Sequence, residues 1–338
     1  MGKHYRRPQR FQDTILASMI NSLKNKILSG NPITKSDALR ISEIQNADLF
    51  DLFSAANIIR KKFRGEYVDL CAIINAKSGA CPEDCSYCAQ SSKNKTDVSV
   101  YPLVKKDAVL EKAREARDAG VKRFCVVTSG KKTAQKELAE IASMIEAIRG
   151  IGLLPCATLG LLDRDDLLSL KNSGLERYHH NLETSERFFP AICRTHTYYD
   201  KIETVKAAQS AGLSVCSGGI FGMGETWQDR IDMAFAIKEL DVASVPINFL
   251  IPVKGTCMSE KEFLHPLEAL KIISLYRFIL SEKEIRICGG RTQILGEFNS
   301  WVFMAGADSL LTGNYLTTTG RTYKDDLRLI EQYGLKVI

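Results

Sequence analysis

Three thiols in one short stretch carry the clearest chemical signal of this chain: Cys81, Cys85 and Cys88 in Ala80-Cys81-Pro82-Glu83-Asp84-Cys85-Ser86-Tyr87-Cys88-Ala89. Thiolates are the preferred ligands of iron–sulfur clusters, and a four-iron cube closed by protein takes four of them. A loop offering three leaves one iron open, where a small molecule can bind the metal and accept an electron. Two plainer arrangements compete. A structural zinc site takes four ligands, usually as two separated pairs, and no second Cys or His pair follows at that spacing. A disulfide with a spare thiol requires an oxidising compartment, of which the sequence gives no sign.

The rest of the chain has to position this loop. At 338 residues, 45% hydrophobic and 25% charged, it reads as an ordinary soluble globular protein, long enough for two domains or one α/β barrel. The net charge of +6 gathers partly in a basic start, with Lys3, His4, Arg6, Arg7 and Arg10. Without aromatic interleaving or a recognition-helix pattern, this reads as a solvated face, so no nucleic-acid partner is expected. No secretory signal and no apolar run long enough for a membrane span is visible, and a cytoplasmic protein is expected. Ten cysteines in a reducing compartment point to metal or catalysis before disulfides.

Residues 12–65 read as helices, with Ile15, Ile20, Leu23 and Ile27 near helical spacing and Ser36-Asp37 as a cap after Pro32. Beyond them, short apolar runs at 68–76, 123–128, 153–159, 177–183, 214–221, 245–251, 284–288 and 309–316 alternate with amphipathic segments at 106–119, 133–149, 163–173, 198–211, 227–240, 266–281 and 324–333. Eight strands separated by helices predict an α/β fold, a (β/α)8 TIM-type barrel with an N-terminal helical extension. The expected division is a helical segment at 1–65, the barrel at 66–320, and a C-terminal helix and tail at 321–338. The three-cysteine loop falls in the longest gap, after the first strand, at the barrel mouth where active sites are built.

A second set of residues falls inside predicted strands: Cys71, Cys125, Cys156, Cys216, and Arg286 with Cys288. Arg286 and Cys288 stand two apart and therefore face one way. If that way is inward, thiols and a guanidinium converge on the barrel interior and suit a second cluster. Each thiol alone also reads as a small buried hydrophobe, and a buried arginine requires an anionic partner. Cys193 and Cys257 fall in predicted loops and look unspecialised. Gly218-Gly219 and Gly222-Met223-Gly224 suit either close approach to a ligand or plain turns.

The three-cysteine spacing, with an aromatic residue just before the third, resembles the radical S-adenosylmethionine (SAM) enzymes. The order of motifs from about 66 to 320 resembles one family among them, the biotin synthases. Those motifs stand as Gly79-Ala80-Cys81-Pro82-Glu83-Asp84-Cys85, Tyr178-His179-His180-Asn181-Leu182-Glu183-Thr184, Cys216-Ser217-Gly218-Gly219-Ile220, Gly222-Met223-Gly224-Glu225-Thr226, Ser244-Val245-Pro246-Ile247-Asn248 and Met304-Ala305-Gly306-Ala307.

The resemblance implies sulfur insertion into dethiobiotin by a 5′-deoxyadenosyl radical, with a [4Fe-4S] cluster on Cys81, Cys85 and Cys88. It further implies an auxiliary [2Fe-2S] cluster on Cys125, Cys156, Cys216 and Arg286 as the sulfur donor. Tyr87, Asn181 and Glu183 fall at cofactor-binding positions. Asn181, Asn248, Thr318 and Thr319 fall at substrate-binding positions, Asn248 toward the ureido group and the threonines toward the carboxylate. A homodimer served by an electron donor such as flavodoxin or ferredoxin is implied as well. The chain departs from the commonest pattern at His179, Glu183 and Cys288. Cys288, as an alternative ligand, and Cys71 leave the size of the auxiliary cluster open. The rivals are another radical SAM enzyme of this barrel type, resembling methylornithine synthase or a hydrogenase maturase, and a cluster-bearing sensor without catalysis.

Overall fold

Short β-branched runs alternating with amphipathic stretches cannot bury both kinds of face unless helices wrap a sheet, and this chain does so as a closed ring. The computed structural model describes residues 10–338, with side chains from Leu16 onward. Lys3, His4, Arg6 and Arg7 of the basic start, and the side chains of Arg10 and Ile15, lie outside the described residues.

The strands are β1 (Tyr67–Lys77), β2 (Arg123–Thr128), β3 (Leu154–Thr158), β4 (Arg177–His179), β5 (Ser214–Cys216), β6 (Gly219–Phe221), β7 (Ser244–Phe249), β8 (Glu284–Ile287), β9 (Ser309–Leu311) and β10 (Lys336–Val337). All pair in parallel, in the order β1-β2-β3-β4-β5-β7-β8-β9, and β9 returns to β1 to close the barrel. β6 extends the line of β5 and pairs β7, so the ring has eight positions, as the alternation predicts.

The helices between the strands are α4 (Lys106–Asp118), α5 (Gln135–Gly150), α6 (Arg164–Asn172), α7 (Tyr198–Ser210), α8 (Trp227–Glu239), α9 (Pro266–Ile279), the short α10 (Arg291–Leu295), and α11 (Tyr323–Gln332) after β9. α5 shows the rule they follow: Leu138, Ile141, Met144, Ile145 and Ile148 are its buried residues, one stripe at helical spacing that faces the sheet. Before the barrel, α1 (Arg10–Leu28), α2 (Lys35–Ser42) and α3 (Asp48–Arg64) cover its flank. α3 packs on α1 and α9. α9 is therefore sandwiched, with every residue from Ala269 to Ile279 buried.

Some details differ from the sequence reading. α2 is capped by Thr34 rather than by Ser36-Asp37. The Asp37 N–H donates to Thr34 Oγ1 at 3.1 Å, and Asp37 returns a carboxylate to the Thr34 N–H at 3.0 Å, a reciprocal box that uses both groups. β4 stops at His179; beyond it His180 N–H still donates to Cys216 O at 2.9 Å, and Glu183, at φ 72°, makes only an isolated bridge to Gly219. The fifth strand breaks at Ser217-Gly218, where the Gly218 N–H donates to the Asn181 side chain at 3.1 Å instead of a neighbouring strand. β10, absent from the sequence reading, pairs the first residues of β1, Tyr67 with Lys336 and Val68 with Val337. Two residues are too few to show a period.

Candidate functional site

The loop after β1 is fixed by its own backbone and by short polar side chains. Gly79 and Ala80 take φ 73° and 50°, turning the chain out of the strand. Cys81 N–H donates to Gln90 O at 3.1 Å and Ser92 N–H to Cys81 O at 2.8 Å. The Asn94 amide donates to Cys85 O at 3.2 Å and Cys88 O at 2.8 Å. Glycine is required at position 79, since a Cβ there would stand 2.5 Å from the Val100 side chain. Cys81, Tyr87 and Cys88 line the cavity inside the barrel mouth, about 440 Å³ in volume. Cys85 does not; its sulfur lies 3.8 Å from that of Cys193.

Deeper in the same cavity stand Cys71, Cys125, Cys156, Cys216, Arg286 and Cys288, all buried. Strand register brings them together: Cys125 is the partner of Cys156 across β2 and β3, and His179 that of Cys216 across β4 and β5. Beneath them lies a charged layer. Arg286 donates to Asp69 at 2.8 Å, to Glu284, and to Leu310 O at 3.2 Å. Arg123 donates to Asp69 at 2.9 Å, and Arg177 to both oxygens of Glu284 at 3.2 Å. The anionic partners of Arg286 are thus two carboxylates that the sequence reading did not find. Three guanidiniums against two carboxylates leave an excess of positive charge facing the thiols. Cys156 is drawn down to about 7, first by a hydrogen bond with Cys71 and then by Arg177, Arg123 and Arg286, against the opposing effect of burial.

The polar groups lining the same cavity come from the ends of β4 and β7 and from the segment after β9. Glu183 lines the cavity, and burial raises its carboxyl above the ordinary range while Lys201, Asn181 and Tyr87 oppose. The Asn181 amide donates to Glu183 at 3.3 Å. Asn248 also lines the cavity, donating to Gly219 O at 3.1 Å and accepting from Gly289 N–H at 3.0 Å. Thr318 lines the cavity, whereas Thr319 is exposed and outside its lining. His179 and His180 line it too, and burial lowers His179 to about 4, keeping it a neutral ring.

The glycine runs answer to packing. A Cβ on Gly218 would stand 2.0 Å from Pro246 O, and one on Gly219 2.4 Å from Glu183 O. Gly222, Met223 and Gly224 give all three N–H groups to the Glu225 carboxylate, at 3.0, 2.8 and 3.1 Å, leaving none for a ligand.

Cys193 is the residue the sequence reading missed. It is buried, not an idle loop thiol, and its sulfur lies 3.3 Å from His196 Nδ1 and 3.3 Å from Asp84 Oδ1. Glu83 and Asp84, from the cysteine loop, reach the same segment: Glu83 meets His196 Nδ1 at 2.5 Å, and Asp84 accepts from the Arg194 and Thr195 N–H groups at 2.9 and 3.1 Å. Cys193 is drawn down to about 4, first by the hydrogen bond from Cys85, which in turn pushes Cys85 up. The signal available was Cys193-Arg194-Thr195-His196, two ligand types three residues apart. Cys257 is exposed.

A closed parallel barrel with a three-thiol loop at its mouth defines a radical SAM enzyme, and residues 76–237 match the model of the Radical SAM superfamily. Residues 246–336 match the Biotin and Thiamin Synthesis associated domain. The chain is 55% identical to the biotin synthase of Thermodesulfovibrio yellowstonii over 88% of its own length and 94% of that protein. It is 44% identical to the biotin synthase of Citrifermentans bemidjiense, covering 96% and 99% of the two chains. The chain belongs to the biotin synthase family. Among solved structures, methylornithine synthase superposes with a TM-score of 0.82 at 21% identity, over 94% of this chain and 97% of that one. HydG, a maturase of the [FeFe]-hydrogenase, does so with 0.81 at 16% identity, over 96% and 78%. These two share the fold.

The family implies a [4Fe-4S] cluster and SAM, and the residues fit them. Two of the three loop thiols and the Glu183 carboxylate share one cavity, and the positive excess below it suits an anionic, thiolate-bound group. Among the described residues no helix is long and apolar enough to cross a membrane.

Proposed function

We propose that the chain converts dethiobiotin to biotin by radical SAM sulfur insertion, and that both of its thiol sets take part. The observation that carries this reading is a single cavity bordered at its mouth by Cys81 and Cys88 and at its base by Cys125, Cys156 and Cys216. When bound, the four-iron cluster and SAM supply a 5′-deoxyadenosyl radical for hydrogen abstraction, and the auxiliary cluster supplies sulfur.

Cys81, Cys85 and Cys88 would hold the first cluster. Tyr87, Asn181 and Glu183 would orient SAM, the Glu183 carboxylate accepting the two ribose hydroxyls. After its two backbone bonds, Asn248 retains one amide hydrogen and one carbonyl lone pair, the donor and acceptor that a ureido group needs. Asn181 would add a contact to substrate. Thr318 and Thr319 would bind the substrate carboxylate, with Thr319 turning inward from its exposed place.

Cys125, Cys156, Cys216 and Arg286 form the auxiliary set in its two-iron form. Arg286 is already engaged by Asp69, Glu284 and Leu310. Among the described residues, the Cys288 thiol makes no hydrogen bond beyond a 3.8 Å approach to Arg286 O. That difference favours Cys288 over the guanidinium as ligand, and with Cys71 in the same buried cluster of side chains favours a larger, thiolate-rich cluster. The chain divides into an N-terminal segment at 1–65, helical where it is described, the barrel with both sites at 66–320, and a C-terminal segment at 321–338. It works as a cytoplasmic homodimer reduced by a flavodoxin or ferredoxin.

Replacing Cys125, Cys156 and Cys216 by alanine in turn tests the reading. Loss of biotin formation with SAM cleavage retained is expected. Full biotin formation without them would contradict it, and absence of SAM cleavage by the reconstituted wild type would favour a sensor.

A further inference from the structure

Cys193 belongs to neither thiol set, and nothing in the reading above uses it. It is buried, and its sulfur lies 3.8 Å from that of Cys85. A disulfide bond is about 2.05 Å long, which leaves this pair about 1.8 Å short of bonding distance. The main chains already run side by side here. Ser86 N–H donates to Ile192 O at 2.9 Å, joining the peptide after Cys85 to the peptide before Cys193. Asp84, one residue earlier, accepts from the Arg194 and Thr195 N–H groups at 2.9 and 3.1 Å. These bonds hold the two cysteines in step, so closing the gap is left to their side chains.

Cys85 also differs from its loop partners. Cys81 and Cys88 line the cavity, whereas Cys85 packs against the apolar group of Phe189, Ile192, Cys193 and Met223. It is half-buried, within reach of a small oxidant, and the thiol next to it is sealed from solvent. A thiol oxidised to sulfenic acid is rescued when a second thiol condenses with it, and the disulfides of reducing compartments are chiefly transient and redox-sensing ones.

We propose that Cys85 and Cys193 form an oxidative modification site in protein lacking its four-iron cluster, where hydrogen peroxide converts the pair to a disulfide. The Cys85 sulfur attacks the peroxide and the O–O bond breaks, giving a sulfenic acid and one water. The Cys193 sulfur then attacks the Cys85 sulfur. The S–O bond breaks, and the hydroxyl leaves with the Cys193 proton as a second water. The two thiols lose two electrons and the peroxide gains them. A thiol reductant reverses the bond, so Cys85 is kept from the irreversible sulfinic and sulfonic acids. One consequence rests on the role proposed above for Cys85: oxidised apoprotein builds no four-iron cluster on the loop until the disulfide is reduced.

The test is anaerobic treatment of the full-length apoprotein with hydrogen peroxide, alkylation of the remaining thiols, and mass spectrometry of the non-reduced digest. A peptide pair joined through Cys85 and Cys193 is expected in wild type and in Cys156→Ala, and is expected to disappear with dithiothreitol. Cys193 recovered alkylated from peroxide-treated wild type, or Cys85 joined to Cys81 or Cys88 instead, would overturn the proposal; this measurement needs no Cys193 variant to fold. In Cys193→Ala, Cys85 is expected to go on to sulfinic acid, a loss of thiol that dithiothreitol does not recover. Full recovery of the Cys85 thiol there would contradict its protection by Cys193. Oxidised protein is then given iron and sulfide, in the Cys156→Ala background to set aside the auxiliary cluster. Chains that retain the joined peptide are expected to show no four-iron Mössbauer signal, and dithiothreitol to restore it. If such chains carry the four-iron cluster all the same, the disulfide stands and the assignment of Cys85 to the cluster falls.

Discussion

Glu284→Gln probes the charged layer on which the auxiliary site is built. The Glu284 carboxylate accepts Ser244 Oγ at 2.7 Å, Arg177 through both oxygens at 3.2 Å, and Arg286. Glutamine keeps one acceptor oxygen and turns an NH2 toward guanidinium, so one to two charge-assisted bonds are lost, each worth about 1.5–3 kcal/mol. Three guanidiniums then face Asp69 alone. Breaking a buried pair from one side costs about 3–5 kcal/mol, in agreement with the bond count. An unfolding entropy of about 2.1 cal/mol/K per residue gives about 0.7 kcal/mol/K for 338 residues. The apoprotein should therefore melt about 4–7 °C lower by anaerobic scanning calorimetry. Loading the auxiliary cluster, which brings negative charge to the same guanidiniums, should lower the deficit further below that of the apoprotein pair. An apo variant that melts within about 1 °C of wild type would refute the reasoning.

Gly219→Ala sets a Cβ 2.4 Å from Glu183 O and 2.7 Å from Met233 Sδ; overpacking of about 1–3 kcal/mol should displace Glu183 and weaken SAM binding by about tenfold or more, read by equilibrium dialysis. Asp229→Asn loosens the start of α8, where Asp229 binds the Thr226 N–H at 2.8 Å and Ser185 Oγ at 2.6 Å. Against burial, bonds from Ser185, Thr226 and Arg187 hold this carboxyl down to about 2, so its contribution is present above the ordinary carboxylate range and lost as pH falls toward that value. The variant should lose about 2 kcal/mol at pH 7, and denaturant midpoints should show the gap closing between about pH 4 and pH 2. Cys288→Ser should change the iron content or Mössbauer spectrum of the auxiliary cluster; an unchanged spectrum and biotin yield would remove Cys288 from the ligand set.

The barrel is legible in the sequence because helical and strand stripes repeat eight times, and the cysteine loop because its ligands are adjacent in the chain. The remainder depends on register. Arg286 reaches Asp69 across 217 positions of sequence, and no local pattern links them before β8, β9 and β1 are paired. His196 likewise meets Glu83 across 113 positions. The turn at Gly222-Met223-Gly224 reads equally as a ligand cradle or a plain turn until Glu225 is seen to take its N–H groups. Cys193 gives no signal of its own because one thiol in a loop has no period, and its contact with Asp84 spans 109 positions.

The most direct test is an anaerobic reaction of reconstituted protein with SAM, a low-potential reductant and dethiobiotin, with biotin and 5′-deoxyadenosine measured together by mass spectrometry. Biotin accompanied by 5′-deoxyadenosine in excess of it is the predicted result. Abundant 5′-deoxyadenosine with neither biotin nor a partly sulfurated intermediate, from protein carrying both clusters, would contradict the account.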